Sequence, residues 1–166
     1  MAQTARIKLS KLYDEFIGAY ESLKNITERK QDAIFDRDFD ELESLTEKQQ
    51  ALTEQLETID EKKSRYAENY LETPGQLEDV TLETLKDAAG VDKQDDLSEK
   101  HRHLKQLIRD VQRYSRENQR LLETRQDFFE KLFNEFKDGQ PGETYDKNKK
   151  KDESGADEAV IFDEAI

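Results

Sequence analysis

The chain has 166 residues, a length typical of one domain, and 40% of them are charged while only 33% are hydrophobic. This balance leaves too little apolar surface for a thick globular core and favours an extended shape. The net charge of -13 disfavours electrostatic binding to nucleic acid or to an anionic membrane, so a protein partner is the better hypothesis. Without cysteine the chain has no disulfide, no thiolate nucleophile and no cysteine-based zinc site.

No run of about 18 apolar residues occurs, so we expect no membrane-spanning segment. The opening residues, Met1 to Arg6, lack the hydrophobic stretch of a secretion signal. We therefore expect a cytoplasmic protein, and the lack of cysteine fits that reducing compartment.

Apolar residues in the first part of the chain follow helical periods. From Leu9 they recur at seven-residue steps and predict a helix over residues 5–35, with Leu9, Phe16 and Leu23 on one row and Leu12, Ala19, Ile26 and Ala33 on the other. A 3-4 alternation then predicts a second helix over 39–70, through Leu42, Leu45, Gln49, Leu52, Leu56, Ile59, Lys63, Tyr66 and Tyr70. We interpret Gln49 and Lys63 as polar residues that fix the register.

A chain reversal near residues 36–38 is predicted between these two helices. One straight helix would place their apolar stripes on different faces, because Leu42 lies about 180° from Ala33 at ~100° per residue. Asp38 suits an N-cap, and Glu41 three residues later completes a capping box. The sequence therefore predicts an antiparallel helical hairpin.

A connector and a third long helix follow the hairpin. Residues 72–76 contain a proline and a glycine and predict a turn, and residues 81–89 predict a short helix that Gly90 ends. The third helix is predicted over 95–136 by Leu97, Leu104, Leu107, Ile108, Val111, Tyr114, Asn118, Leu121, Leu122, Phe128, Phe129, Leu132, Phe133 and Phe136. Whether it pairs with the first or the second helix is left open.

Together these elements predict an all-α fold, in which a long antiparallel hairpin and a third long helix form a coiled-coil-like bundle over residues 1–136. Residues 137–166 contain glycine, proline and the Lys147–Lys151 run, and they predict a disordered tail. We interpret the lysine run as a solvating linker, since acidic residues flank it. The apolar patch Val160, Ile161 and Phe162 near the end of the tail is interpreted as a linear docking motif.

No constellation of residues indicates catalysis, a cofactor or a metal. His101 and His103 diverge by about 200° on a helix, whereas a zinc pair needs ligands at i and i+4. We expect both histidines on the surface. The acidic pairs show no sign of the desolvated pocket that a general acid needs. We therefore predict a binding protein that is not an enzyme.

The aromatic end of the third helix is the candidate binding surface. Its apolar positions spread over about 140°, wider than a two-helix seam requires: Phe128, Phe129, Leu132, Phe133 and Phe136. Either this face contacts both other helices in a three-helix core, or it is a docking surface for a partner helix. The sequence leaves both possibilities open.

Three features point to a known family: the reversal Ala33-Ile34-Phe35 to Asp38-Phe39 followed by Leu42 and Leu45, the stretch Arg116 to Leu122, and the closing Ile161-Phe162-Asp163. With these features the layout resembles the FlgN family of flagellar export chaperones. That resemblance implies long helices and a client-binding C-terminal third. The clients would be the hook-associated junction proteins usually called FlgK and FlgL, which would be kept unassembled and passed to the export gate.

On this resemblance the client-binding residues are Asn118, Leu121, Leu122, Phe128, Phe129, Leu132, Phe133, Phe136, Val160, Ile161 and Phe162. One alternative is another helical secretion chaperone, serving a filament-cap protein or a virulence substrate. A second is a generic coiled-coil adaptor or spacer, for which the second-helix heptads and the 40% charge are equally good evidence.

Overall fold

The computed structural model describes residues 2–71, 80–90 and 95–138. These residues form four helices: α1 Ala2–Asp36, α2 Phe39–Tyr70, α3 Leu82–Ala88 and α4 Asp96–Asp138. The predicted all-α helical bundle is confirmed, and the predicted helix ends lie within three residues of the observed ones. The turn predicted at 72–76 and residues 139–166 of the predicted tail lie outside the described residues.

Helix α1 is the central element, because both α2 and α4 pack along it. Its two predicted rows are buried, and a third row at the same seven-residue step is buried beside them: Tyr13, Tyr20, Thr27 and Ile34. Three adjacent rows make a face wide enough to contact two neighbouring helices. This extra row explains how one helix of a highly charged chain supports the whole bundle.

Helix α2 runs antiparallel to α1, which confirms the predicted hairpin. Lys30 Nζ donates to Gln49 Oε1 at 2.8 Å near the reversal, and the Tyr66 hydroxyl donates to the Ala5 carbonyl at 3.0 Å near the opposite end. The second polar seam residue, Lys63, is buried and pairs with Asp60 at 2.6 Å.

Helix α4 runs parallel to α1, and this settles the pairing that the sequence left open. Ion pairs advance along both helices together, from Arg6 with Asp95, through Asp14 with Lys100 at 2.7 Å, to Lys24 with Asp110 at 3.1 Å. Hydrogen-bonded residues of α4 follow their partners in α1 by 82 to 91 positions. The register between the two helices is therefore constant along their length.

The reversal between α1 and α2 combines two helix caps in three residues. Arg37 has a φ of 58°, and the Asp38 amide donates to the Ala33 carbonyl at 2.9 Å, as in a Schellman C-cap. Asp38 Oδ1 accepts from the Glu41 amide at 3.0 Å, so the predicted N-cap is confirmed. The reciprocal half of the predicted capping box is absent, because the Asp38 amide is already used and the Glu41 carboxylate pairs with Arg29.

The short helix α3 packs over the first turns of α1 and α4. Thr81 caps its N-terminus by accepting from the Thr84 amide at 3.1 Å, and Gly90, at a φ of 64°, follows its end. Leu82 and Leu85 are buried in the same core as the N-terminal half of α1. The Tyr13 hydroxyl donates to the Leu82 carbonyl at 3.2 Å and thereby joins α3 to α1.

His101 is only 5% exposed, so the expectation of two surface histidines was wrong for this residue. Its Nδ1 lies 3.0 Å from the Tyr13 hydroxyl. The Tyr13 hydroxyl donates its one proton to the Leu82 carbonyl, so its oxygen can only accept a hydrogen bond from His101. Nδ1 must therefore carry the imidazole proton for both contacts to be hydrogen bonds. Nε2 is then a buried acceptor with no hydrogen-bond partner among the described residues. Burial, followed by the charge of Lys86, lowers the pKa of His101.

Replacing Arg37 by glycine should stabilise the protein by about 1 kcal/mol, because a left-handed φ costs a residue with a Cβ about that much. Urea unfolding followed by circular dichroism measures the change. Lys48→Gly is the matched control, since Lys48 is an exposed basic residue inside α2. Lys48→Gly should lower the free energy of unfolding by about 1 kcal/mol. Destabilisation by both variants would contradict the assigned turn conformation.

Stability should fall as the pH drops below about 6.5, the ordinary pKa of an unfolded histidine, because the folded state resists protonating His101. The neighbouring charges act in both directions, with Lys86 and Lys105 lowering and Glu83 and Asp87 raising its pKa. In unfolding measured from pH 8 to pH 5, His101→Gln should show a shallower pH dependence than the wild type.

His103→Gln is the matched control, because His103 is exposed beside Glu21 at 3.3 Å. If the two variants shifted the pH dependence equally, the buried histidine would not be the responsible group.

Candidate functional site

Helix α1 ends beside Arg125 of α4. The Arg125 guanidinium donates to the Ile34 carbonyl and, at 3.3 Å, to the Phe35 carbonyl. These carbonyls belong to the last turn of α1, where backbone acceptors lack partners within the helix and a cation is favourable. Arg125 therefore caps α1 from the neighbouring helix.

Helix α4 continues past this contact to Asp138. Because α4 runs parallel to α1 and in constant register with it, residues 126–138 lie beyond the end of α1. At 1.5 Å per residue this segment is about 20 Å long. We call residues 126–138 the overhang.

One of the rows of α4 that face α1 changes character along its length. At seven-residue steps it contains Leu97, Leu104, Val111, Asn118 and Arg125. The first three are buried apolar residues, whereas the last two contact α1 through hydrogen bonds. Along this row, hydrophobic packing against α1 is therefore replaced by polar contacts near the end of α1.

Asn118, one of the predicted site residues, is buried in this row. Its Nδ2 donates to the Thr27 carbonyl at 2.8 Å, and its Oδ1 has no hydrogen-bond partner among the described residues. A partner protein could reach this side chain only after α1 and α4 separate. Asn118 therefore marks the inner limit of the predicted site residues of α4 and is itself not accessible.

The other predicted residues of α4 lie at or beyond this limit. Leu121 is half-buried, while Leu122 and Phe128 are exposed. Four more belong to the helical turns of the overhang, although their side chains are outside the described part of the structure: Phe129, Leu132, Phe133 and Phe136. Val160, Ile161 and Phe162 lie outside the described residues altogether.

Arg125 is the residue of this region that sequence reasoning missed. A signal was present, because Arg125 lies seven residues after Asn118 on the same row. An arginine at such a position is compatible with any exposed helix face, so its partner became visible only with the parallel packing of α1 and α4.

The described residues offer no constellation for metal chemistry. Over the three described ranges, no three or more acidic or histidine side chains come together as metal ligands. His103 is exposed while His101 is buried, so the two histidines do not share a site. Within the same ranges, no helix combines the length and the apolar character that crossing a bilayer requires.

A scan against protein-family models matches residues 1–153 to the family described as FlgN protein. The chain belongs to the FlgN family. Proteins of the FlgN family are chaperones of flagellar export and bind flagellar proteins, so the resemblance deduced from the sequence is confirmed. Searches of curated proteins and of solved structures found no significant match.

Phe128 should contribute little to the stability of this FlgN chaperone, because its side chain is exposed at the start of the overhang. Phe128→Ala should change the free energy of unfolding by less than about 0.5 kcal/mol. Phe16→Ala, which removes a buried ring from α1, should cost about 3 to 5 kcal/mol. Urea unfolding of both variants measures the difference, and similar losses would show that Phe128 belongs to the folded core.

Proposed function

We propose that this FlgN chaperone works in the cytoplasm, binds hook-associated junction proteins of the FlgK and FlgL type, and keeps them unassembled until export. The observation that carries the proposal is the extension of α4 beyond the end of α1. A helix that continues without α1 beside it offers a surface that a partner helix can cover.

The composition of this extension suits an apolar partner. Phe128 at its start is exposed, as is Leu122 just before it, and the sequence places four further apolar residues in the overhang: Phe129, Leu132, Phe133 and Phe136. Covering one such phenylalanine contributes about 1.5 to 3 kcal/mol before the entropy of association is subtracted. A few covered rings therefore suffice for a specific complex.

The apolar patch Val160, Ile161 and Phe162 is proposed as a second client contact. Ordering a short linear motif costs conformational entropy, so this contact alone should be weak. Joined to the α4 contact through the same chain, it binds at a raised effective concentration and strengthens the complex. We therefore assign the overhang the main role and the 160–162 patch a supporting one.

Binding alone accounts for this chaperone function. The helices of such a client associate as soon as they meet their assembly partners. To keep the client unassembled, the chaperone needs only to cover those helices with an apolar surface and to remain soluble. The net charge of -13 supplies that solubility. The proposal includes no catalytic step and no cofactor, and the loaded client is handed to the export gate.

Charging the overhang should abolish client binding. Phe129→Asp combined with Phe133→Asp places two carboxylates where the client is proposed to pack, whereas deletion of residues 159–166 should only weaken binding. Isothermal titration with a purified FlgK-type junction protein measures both affinities. Ile7→Asp is the control, because Ile7 is exposed on the N-terminal part of α1 and this variant should bind like the wild type.

Circular dichroism must show that the double variant keeps its helicity. An unfolded double variant would mean that these phenylalanines belong to the core, contrary to the proposal. A pull-down from a flagellated cell lysate provides the second test. Recovery of junction proteins supports the proposal, whereas recovery of cap or virulence substrates, or self-association along the helices without a client, would overturn it.

A further inference from the structure

Exposed large apolar side chains of the described residues concentrate at one end of the bundle. Six such side chains are exposed, and four of them lie at the hairpin reversal or on the adjoining part of α4. We call these four the tip surface: Phe35 at 56% exposure, Phe39 at 74%, Leu122 at 47% and Phe128 at 57%. Only Phe128 lies in the overhang, so the apolar surface continues onto the hairpin itself.

Arg125 joins the parts of this surface that come from α1 and α4. Its guanidinium lies 5.9 Å from the centre of the Phe35 ring and also donates to the carbonyls that end α1. Leu122 and Phe128 lie three residues before and after Arg125, the spacing of neighbours on a helix surface. Phe35, Leu122 and Phe128 therefore belong to one region of the bundle.

The reversal holds Phe39 beside this region. Phe39 is the first residue of α2 and directly follows Asp38, which donates to α1 and caps α2. Both caps fix the backbone between Phe35 and Phe39, so little ordering is needed when a partner covers the two rings. Large apolar side chains that are exposed together at one end of a bundle often mark an interaction site.

The charges around the tip surface indicate what can cover it. Acidic side chains prevail among the exposed residues within five positions of the four: Asp32, Asp36, Asp38, Asp40, Glu43, Glu123, Asp127 and Glu130, against Arg37, Arg120 and Lys131. The chain's own apolar segment 157–166 carries four acidic residues and no basic one. A second copy would place acidic residues against acidic residues. Both occupants are disfavoured by like-charge repulsion.

We propose that the tip surface is a second part of the client site and binds an amphipathic helix of the client whose apolar stripe is flanked by lysine or arginine. This inference rests on the proposed function and adds to it that the hairpin, as well as α4, contacts the client. The rings of Phe35 and Phe39 pack against the apolar stripe, and the surrounding carboxylates pair with the basic flanks.

The test uses the full chain and a purified FlgK-type junction protein in isothermal titration. Phe35→Ala combined with Phe39→Ala should weaken binding by about tenfold or more, since truncated aromatic anchors typically cost over 1 kcal/mol each. Ile7→Ala, an exposed apolar residue on the N-terminal part of α1, should leave the affinity within about twofold of the wild type. Asp36→Lys with Asp40→Lys should also weaken binding and reduce its dependence on salt.

Failure of the proposed function and failure of the tip proposal give different binding results. A wild-type chain that does not bind the junction protein defeats the proposed function. A wild type that binds, with an unchanged affinity for both tip variants, overturns the tip proposal while the proposed function stands. Tighter client binding after deletion of residues 157–166, or a dimer mass in sedimentation that the Phe35 and Phe39 changes abolish, would assign the surface to another occupant and also overturn it.

Circular dichroism with a thermal melt checks that each tip variant keeps its fold. Should the double alanine variant unfold, Phe39→Ala alone decides the matter, because Phe39 has the most exposed of the four side chains. An affinity equal to that of the wild type would then overturn the proposal.

Discussion

The packing of α4 in parallel along α1 is the interaction on which the rest of the structure depends. Helix α1 supplies three buried rows and contacts both other long helices, so its length limits how far either neighbour can be supported. At the end of α1 the chain reverses direction and returns as α2. Helix α4 instead continues beyond the end of α1, and Arg125 marks the point where its packing against α1 ends.

Helix α4 therefore has two parts with different tasks. From Leu97 to Val111 it contributes apolar side chains to the core, which makes that part costly to separate from α1. From Asn118 to Arg125 its contacts with α1 include hydrogen bonds from both of these residues, each typically worth about 1 kcal/mol net. We propose that the apolar residues of the sequence beyond Arg125 serve a client rather than the fold, an arrangement by which a FlgN chaperone with a small core would keep apolar surface for binding.

The sequence predicted those features that local chemistry determines. Helical periods of the apolar residues predicted the three long helices, and the cap at Asp38 predicted the reversal to within two residues. The sequence did not show which of the two nearby histidines points inward, because their spacing fixes only the angle between them. In the structure His101 is the buried one, and its Nδ1 contacts the Tyr13 hydroxyl. It also could not distinguish core from docking surface in α4, since both produce the same periodicity. That distinction depends on where α1 ends beside Arg125.

Hydrogen exchange with and without a FlgK-type junction protein tests the central claim most directly. In the free chain, amides of residues 97–111 should exchange slowly and those of 126–136 much faster, because only the former pack on α1. Adding the client should slow the 126–136 amides by about tenfold or more and leave 97–111 unchanged. Equal protection of both segments in the free chain, or client protection confined to the opposite end of the bundle at residues 56–70, would contradict the account.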